Sequence, residues 1–194
     1  MRKASINRRT RETAIDLTFA IDGTGVSDIN TDVAFLDHVL ESFTRHGLFD
    51  LAITASGDIE LGDHHIVEDI GIVLGQAISQ SLGDCTGIAR FADVRVPMDE
   101  AMASVAIDLS GRSYLVFDAE FSSDLVGDLA TQMVSHFFHS LCANAGINAH
   151  ISAYGVNDHH IVEAIFKAFG IALFRSAAIE RSDIPSTKGV LTGQ

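Results

Sequence analysis

Apolar residues along this chain alternate with polar ones over some stretches and recur every three to four residues over others. The stretches "IDLTFAID" at 15–22 and "DLAITASG" at 50–57 alternate, which is typical of half-buried strands. Between them, five apolar residues share one face of a predicted helix: Val33, Leu36, Val39, Leu40 and Phe43. This part of the chain is therefore predicted to run strand, helix, strand.

The same order returns later in the chain. "SVAIDLSG" at 104–111, "YLVFDAEF" at 114–121 and "NAHISAYG" at 148–155 alternate as strands do. A helix is predicted after Asp63 and another after Asp158, and both aspartates are predicted N-caps because their side chains accept bonds from free backbone amides. The apolar faces of these helices are Ile66, Ile70, Val73 and Ala77 in the first and Ile161, Ile165, Ala168 and Ala172 in the second.

These elements predict an α+β fold in which a two-layer strand-helix-strand-helix unit is duplicated, with helices covering one side of each sheet. The chain of 194 residues would form a single domain with repeats at about 1–92 and 93–185. A C-terminal tail at about 183–194 would follow the second repeat.

Composition and charge narrow the class of protein. The formal net charge of −13 argues against a nucleic-acid-binding protein, which needs a basic face for phosphates. An anionic substrate would therefore have to meet locally gathered Arg or Lys. Cys85 and Cys142 are isolated, and the chain has neither a signal-peptide pattern nor an apolar run that could span a bilayer. A cytoplasmic protein without a membrane partner is the resulting expectation.

The segment "DHHIVE" occurs twice, at 63–68 and at 158–163. Another histidine precedes each copy: His38 lies 25 residues before Asp63, and His136 lies 22 residues before Asp158. Packing alone does not explain two adjacent histidine pairs, because neighbouring helical residues point about 100° apart and one would face solvent. Three further histidines have no counterpart in the other half and are interpreted as surface or core side chains: His46, His139 and His150.

Metal binding explains the repeated histidines directly. On a helix, residues at i and i+4 share a face, so each copy offers a histidine and a glutamate together while its second histidine projects elsewhere. Two metal ions are predicted, one held by His64, Glu68 and His160 and the other by His159, Glu163 and His65, with His38 and His136 completing one sphere each. Imidazole with carboxylate and no thiolate favours Mn, Fe or Co over structural zinc, and Mn is preferred here.

The chain also resembles a known family, the imidazoleglycerol-phosphate dehydratases of histidine biosynthesis. The resemblance extends along the whole chain, and few families combine two HHxxE segments with LDH and HFF. The matching segments are "RRTRETAI" at 8–15, "FLDHVL" at 35–40, "DHHIVEDIG" at 63–71, "RFADVRVPMDEA" at 90–101, "DLSGRSYLVF" at 108–117, "HFF" at 136–138, "NDHHIVEAIFKA" at 157–168 and "PSTKG" at 185–189.

The resemblance implies a fold like domain 2 of ribosomal protein S5 and an assembly of 24 subunits built from trimers. It implies two Mn²⁺ per active site, with the sites at subunit interfaces. The ligands of each metal, which the repeat alone assigns to one chain, would then come from two chains. The ligands it implies are His38, His64, His65, Glu68, His136, His159, His160 and Glu163. Substrate-binding residues implied by the resemblance are Glu12, His64, His65, Arg90, Arg112, Ser186 and Lys188, the last two in the tail.

The implied reaction is that of a lyase, the loss of water from D-erythro-imidazoleglycerol phosphate to give imidazole-acetol phosphate. The proton to be removed has no carbonyl beside it, so a metal-stabilised imidazolate would have to store the charge. Glu12, Glu68 and Glu163 are the candidate acid-base residues, with Glu163 ranked slightly above Glu68.

Two other functions remain open at this point. A metal-binding or storage shell would also use histidine-rich helices, but it has no need for three separated basic residues. A dinuclear phosphohydrolase would use a metal-bound hydroxide, but such sites depend on Asp-rich loops, which the sequence lacks.

Overall fold

A computed structural model describes residues 1–189 and residue 191, and its elements form two successive repeats. The first repeat contains β1 (Lys3–Arg9), β2 (Thr13–Ala20), β3 (Val26–Asn30), α1 (Ala34–Gly47), β4 (Asp50–Gly57), a 3₁₀ turn (Ile59–Leu61) and α2 (His64–Leu82). The second contains β5 (Phe91–Met98), β6 (Ala101–Asp108), β7 (Tyr114–Asp118), β8 (Leu125–Val126), β9 (Leu129–Ala130), α3 (Thr131–Ala145), β10 (Asn148–Tyr154) and α4 (Asp158–Ser176). The short β8–β9 hairpin has no counterpart among the elements of the first repeat.

Each repeat forms its own four-stranded sheet, and the two sheets have the same topology. The strand orders are β1-β2-β4-β3 and β5-β6-β10-β7. β3 runs parallel to β4 and β7 runs parallel to β10, and the other neighbouring pairs in the two sheets are antiparallel. The predicted duplicated α+β fold is confirmed.

The helices lie between the two sheets. α1 and α2 cover one face of the first sheet, and α3 and α4 cover one face of the second. α1 packs against α4 and α2 packs against α3, so each helix pair joins the two repeats. The largest buried side chains at this junction are aromatic: Phe43, Phe137, Phe138, Phe166 and Phe169. Among the described helices, none is both long and apolar enough to cross a membrane.

Glycine allows α2 to approach α3 closely. A Cβ built at Gly75 would lie 2.5 Å from the Leu141 carbonyl oxygen, and one at Gly71 would lie 2.8 Å from the Phe137 carbonyl oxygen. These oxygens belong to the backbone of α3, so they can move only if the whole helix shifts. The close approach of α2 and α3 depends on these glycines, and so does the relative position of side chains on the two helices.

We expect Gly75→Ala to lower stability although alanine is the better helix former. Its gain of about 1 kcal/mol in helix propensity is outweighed by overpacking, which typically costs about 1–3 kcal/mol. The thermal unfolding midpoint should fall by a few degrees, whereas the exposed Ser79→Ala in the same helix should leave it unchanged. A midpoint raised by Gly75→Ala would contradict this close packing.

The hydrophobic pattern missed the two-residue strands β8 and β9 and three longer strands, β1, β3 and β5, which all lie at sheet edges. β1 buries only Ala4, β5 buries only Val94, and β3 buries no residue. An edge strand with so few buried positions shows no clear alternation of apolar and polar residues, because polar side chains are tolerated on both of its faces.

The prediction that Asp63 and Asp158 cap their helices by side-chain hydrogen bonds is wrong. Asp63 precedes α2 but makes no side-chain cap bond, and its carboxylate accepts instead from the Ala130 N–H at 2.7 Å. Asp158 is already inside α4, which is capped by Asn157, and its carboxylate accepts from the Ser122 N–H at 3.0 Å. Both aspartates thus fasten a helix start to the connection between β7 and α3.

Candidate active site

Two groups of three metal-ligating side chains form near the helix starts. Within each group, one ligand atom per residue lies within 4.8 Å of the others. Because α1 packs on α4 and α2 on α3, each group takes residues from both repeats. The groups are His38, His159 and Glu163 on α1 and α4, and His64, Glu68 and His136 on α2 and α3.

The Glu163 group is centred on one carboxylate oxygen. Glu163 Oε2 lies 3.1 Å from His38 Nε2 and 3.2 Å from His159 Nε2. The other oxygen accepts from Lys167 Nζ at 2.7 Å and from Ser42 Oγ at 3.4 Å. The Glu163 side chain is only 9% exposed, and contacts to both of its oxygens hold the carboxylate in place.

The Glu68 group is more open and contains an unsatisfied nitrogen. His64 Nε2 lies 3.6 Å and His136 Nε2 3.3 Å from Glu68 carboxylate oxygens, and the Glu68 side chain is 36% exposed. His136 Nε2 is buried and, among the described residues, has no hydrogen-bond partner. The Glu68 oxygen lies within ion-pair distance of this nitrogen but not in hydrogen-bonding geometry. Buried nitrogens normally have a partner, and a divalent metal would satisfy an imidazole lone pair and a carboxylate together. The residues present therefore fit a metal.

The second histidine of each pair points to a different carboxylate. His65 Nδ1 lies 3.1 Å from both oxygens of Asp58, and His160 Nδ1 lies 2.9 Å from Glu100 Oε2. The hydrogen bond to Asp58 raises the pKa of His65, and the charges of Asp58 and Glu12 raise it further. The hydrogen bond from His160 lowers the pKa of Glu100 to about 2, helped by backbone N–H groups.

The predicted sharing of ligands does not occur within one chain. His160 does not join His64 and Glu68, and His65 does not join the Glu163 group, because the second histidine of each pair projects to another side of its helix. His38 and His136, which were expected only to complete the spheres, are instead part of the two groups. Each group in a single chain therefore offers three ligands.

We expect the metal-free protein to show the titration of Glu163 in its stability. Burial raises the pKa of Glu163, but hydrogen bonds from Lys167 and His38 outweigh it and lower the pKa to about 2. A carboxyl whose pKa is lowered by folding stabilises the protein above its unfolded pKa, and this contribution is lost as pH falls toward the folded pKa. In chelator, the stability difference between wild type and Glu163→Gln should be constant above about pH 5 and should shrink as pH falls toward 2. Urea unfolding at a series of pH values measures it, and a difference that does not change with pH would contradict the assignment.

The basic residues expected to bind phosphate lie elsewhere on the chain. Arg90, in the left-handed region with φ 76°, binds Asp108 at 2.7 Å and donates to the Pro185 carbonyl at 2.8 Å, so it fastens the tail. In the tail, the Lys188 N–H donates to Ser186 Oγ at 3.2 Å, and the Lys188 side chain is exposed. Val190, Thr192, Gly193 and Gln194 of the predicted tail lie outside the described residues.

These basic residues and the histidine groups lie at opposite ends of the same helices. The Arg90 N–H donates to the carbonyl of Ser176, the last residue of α4, and Glu163 lies 13 residues earlier in that helix. At 1.5 Å per residue this is about 20 Å. Arg112 is exposed beside Gly111, which contacts Gly146 at the far end of α3. One chain thus does not bring its phosphate-binding candidates to its own metal-ligating groups.

Glu12 lies on the histidine side of the molecule. It is exposed in the turn between β1 and β2, and its carbonyl accepts from the Asp58 N–H at 3.1 Å. Its negative charge contributes to the raised pKa of His65.

Three charged residues at the site were missed by the sequence reasoning: Lys167, Asp58 and Glu100. Lys167 had a usable signal, because a lysine interrupts the apolar face of α4 one turn after Glu163 and the corresponding residue of the first repeat is Ile72. Asp58 and Glu100 had none, since each lies in a different turn and reaches its histidine only through the fold.

Comparison with known proteins identifies the family. A family model described as imidazoleglycerol-phosphate dehydratase matches residues 31–173, a range that contains both histidine pairs and both groups. The chain belongs to this family. It is 53% identical to imidazoleglycerol-phosphate dehydratase of Methanosarcina barkeri and 55% identical to that of Methanococcoides burtonii, each alignment covering 98% of this chain and 100% of the relative.

Solved structures of the family have the same fold. The crystal structure of imidazoleglycerol-phosphate dehydratase from Staphylococcus aureus superposes with a TM-score of 0.81 at 40% identity, covering 90% of this chain and 97% of that one. The structure of the Pyrococcus furiosus enzyme in complex with (S)-C348 superposes with a TM-score of 0.83 at 35% identity, covering 96% and 100%. This chain is therefore a hydro-lyase that dehydrates imidazoleglycerol phosphate, a phosphorylated imidazole, in histidine biosynthesis.

Proposed function

We propose that the chain carries out this dehydration with two Mn²⁺ per active site and an imidazolate form of the substrate ring. The observation that carries the proposal is the pair of convergent groups, each with two imidazoles and one carboxylate. In one of them His136 Nε2 has no hydrogen-bond partner in the part of the chain that the structure describes. Two separate metal positions suit a substrate whose ring has two nitrogens.

The reaction needs a place to store negative charge. The carbon that loses its proton is not next to a carbonyl, so the imidazole ring is the only electron reservoir in the substrate. Metal ions bound to the ring would act as Lewis acids and lower its pKa. To bind a metal, the ligating histidines have to present a neutral imidazole nitrogen with a free lone pair.

Glu12 is the best placed of the three candidate acid-base residues. Both oxygens of Glu163 already have partners, and its low pKa makes it a fixed anion at neutral pH. Glu68 faces two imidazoles of its own group. Glu12 is exposed, its carbonyl accepts from the Asp58 N–H, and it belongs to neither group, so it can serve as an acid or base without giving up a metal.

The active site is proposed to form between copies of the chain. A distance of about 20 Å along α4 separates Arg90 and the tail from Glu163. The phosphate of a substrate bound at one copy's histidines would therefore be held by residues of another copy, namely Arg90, Arg112, Ser186 and Lys188. His65 and His160 would complete the metal spheres of neighbouring copies. A shell of 24 subunits built from trimers is the assembly proposed.

The experiment is to assay imidazole-acetol phosphate formation by protein stripped of metal with a chelator and then reloaded with Mn²⁺. We expect no turnover without metal and full turnover with about two Mn²⁺ per chain, since each chain has two groups. Turnover that is unaffected by complete metal removal would contradict the two-metal mechanism. Release of inorganic phosphate instead of the ketone would indicate a hydrolase.

A further inference from the structure

We propose that Asp58 and Glu100 are positioning residues, which fix the tautomer and direction of His65 and His160 so that Nε2 of each is presented to a metal. This inference rests on the proposed two-metal function, and it concerns carboxylates that belong to neither group. Each carboxylate contacts the second histidine of a pair on Nδ1.

The chemistry of the contact determines which nitrogen carries the proton. An ionised carboxylate only accepts hydrogen bonds, so a neutral imidazole facing it must carry its hydrogen on Nδ1. Nε2 then keeps its lone pair, which is the form that binds a metal. His64 and His159 differ, because their Nε2 atoms point into the groups of their own chain.

The two residues are held in different ways, Asp58 through its own main chain and Glu100 through its carboxylate. The Asp58 N–H donates to the Glu12 carbonyl at 3.1 Å, and the Asp58 carbonyl accepts from the Leu61 N–H at 2.9 Å. Glu100 Oε1 accepts from the Asn157 N–H at 2.8 Å and the Val156 N–H at 3.2 Å, which leaves Oε2 for His160. The carboxylate that contacts His160 is therefore itself held in place, and the one that contacts His65 extends from a main chain that is held on both sides.

The two contacts are not a simple product of the duplication. Asp58 lies five residues before Asp63, and the residue five before Asp158 is Ala153. Glu100 comes from the β5–β6 turn instead. In both repeats a carboxylate thus contacts Nδ1 of the second histidine, although it comes from a different element each time. This indicates that the contact itself is required.

The test compares Mn²⁺ affinity of Glu100→Gln and Asp58→Ala with that of wild type by competition with a chelator. In Glu100→Gln the amide oxygen can keep the Val156 and Asn157 contacts, so the NH₂ group faces Nδ1 and favours the Nε2–H tautomer, which cannot ligate. Asp58→Ala removes a side chain that, among the described residues, hydrogen-bonds to His65 alone. We expect each variant to bind Mn²⁺ about 10–100-fold more weakly, while the metal-free protein still unfolds cooperatively with a midpoint within a few degrees of wild type. Glu60→Gln, an exposed substitution in the 3₁₀ turn, is the matched control and should bind as wild type.

A second readout does not depend on metal. Nitrogen-15 NMR of the histidine side chains should show Nδ1–H tautomers for His65 and His160 in metal-free wild type and an Nε2–H tautomer for His160 in Glu100→Gln. Wild-type Mn²⁺ affinity in both variants would overturn the positioning role and leave the two-metal function standing. If wild type itself binds no Mn²⁺, the proposed function fails and the positioning role with it.

Discussion

Glu163→Gln should abolish one metal position and lower kcat by about a thousandfold or more. The neutral amide of the variant offers no anionic oxygen to a metal held together with His38 and His159. Losing Lewis-acid stabilisation worth several kcal/mol corresponds to about three powers of ten in rate. The substitution also leaves Lys167, whose side chain is only 19% exposed, without its carboxylate partner. Metal content by mass spectrometry and turnover of imidazoleglycerol phosphate measure the two effects on the same sample.

The matched control for Glu163→Gln is Glu41→Gln, an exposed glutamate on α1. It should keep both the metal content and the rate of wild type. Full metal content together with wild-type kcat in Glu163→Gln would remove this residue from the active site.

The double variant Arg112→Ala/Lys188→Ala should raise KM by about a hundredfold or more. Charge-assisted hydrogen bonds to phosphate are each worth about 1.5–3 kcal/mol, and the net charge of −13 offers no general attraction for an anion. Both side chains are exposed, so stability should be unchanged. Steady-state kinetics separates the expected rise in KM from a fall in kcat.

Mixing this double variant with Glu163→Gln tests whether the two parts of the site come from different copies. After dissociation and joint reassembly in equal amounts, about a quarter of the sites should combine an intact group with an intact phosphate site, because each part is intact in half of the copies. Each variant reassembled alone is the control and should stay inactive at low substrate. No recovery in assemblies shown by native mass spectrometry to be mixed would mean that both parts act within one chain.

The sequence predicted those features of the fold that leave a strong periodic signal. The buried faces of α2 and α4 and the strands β2, β4, β6 and β10 were predicted because their apolar residues recur at regular spacing. The edge strands β1, β3 and β5 were missed because polar residues are tolerated on both of their faces. The caps were wrong because both aspartates make tertiary contacts in place of local ones.

The site was predicted in its residue types and only partly in its arrangement. The repeated histidines and glutamates indicated two metal positions, and i,i+4 spacing correctly placed His64 near Glu68 and His159 near Glu163. Which other histidine joins each group depends on the packing of α1 on α4 and of α2 on α3, which no local pattern specifies. For the same reason the partners of His65 and His160 became visible only in the structure.

Crystals of the Mn²⁺-loaded protein, with anomalous-scattering data collected at the manganese edge, test the central claim most directly. The account requires two peaks for each active site, one at the group of His38, His159 and Glu163 and one at the group of His64, Glu68 and His136. It further requires Nε2 of His65 and His160 from neighbouring copies to complete the two spheres. A single peak, or peaks at other ligands, would contradict the two-metal account.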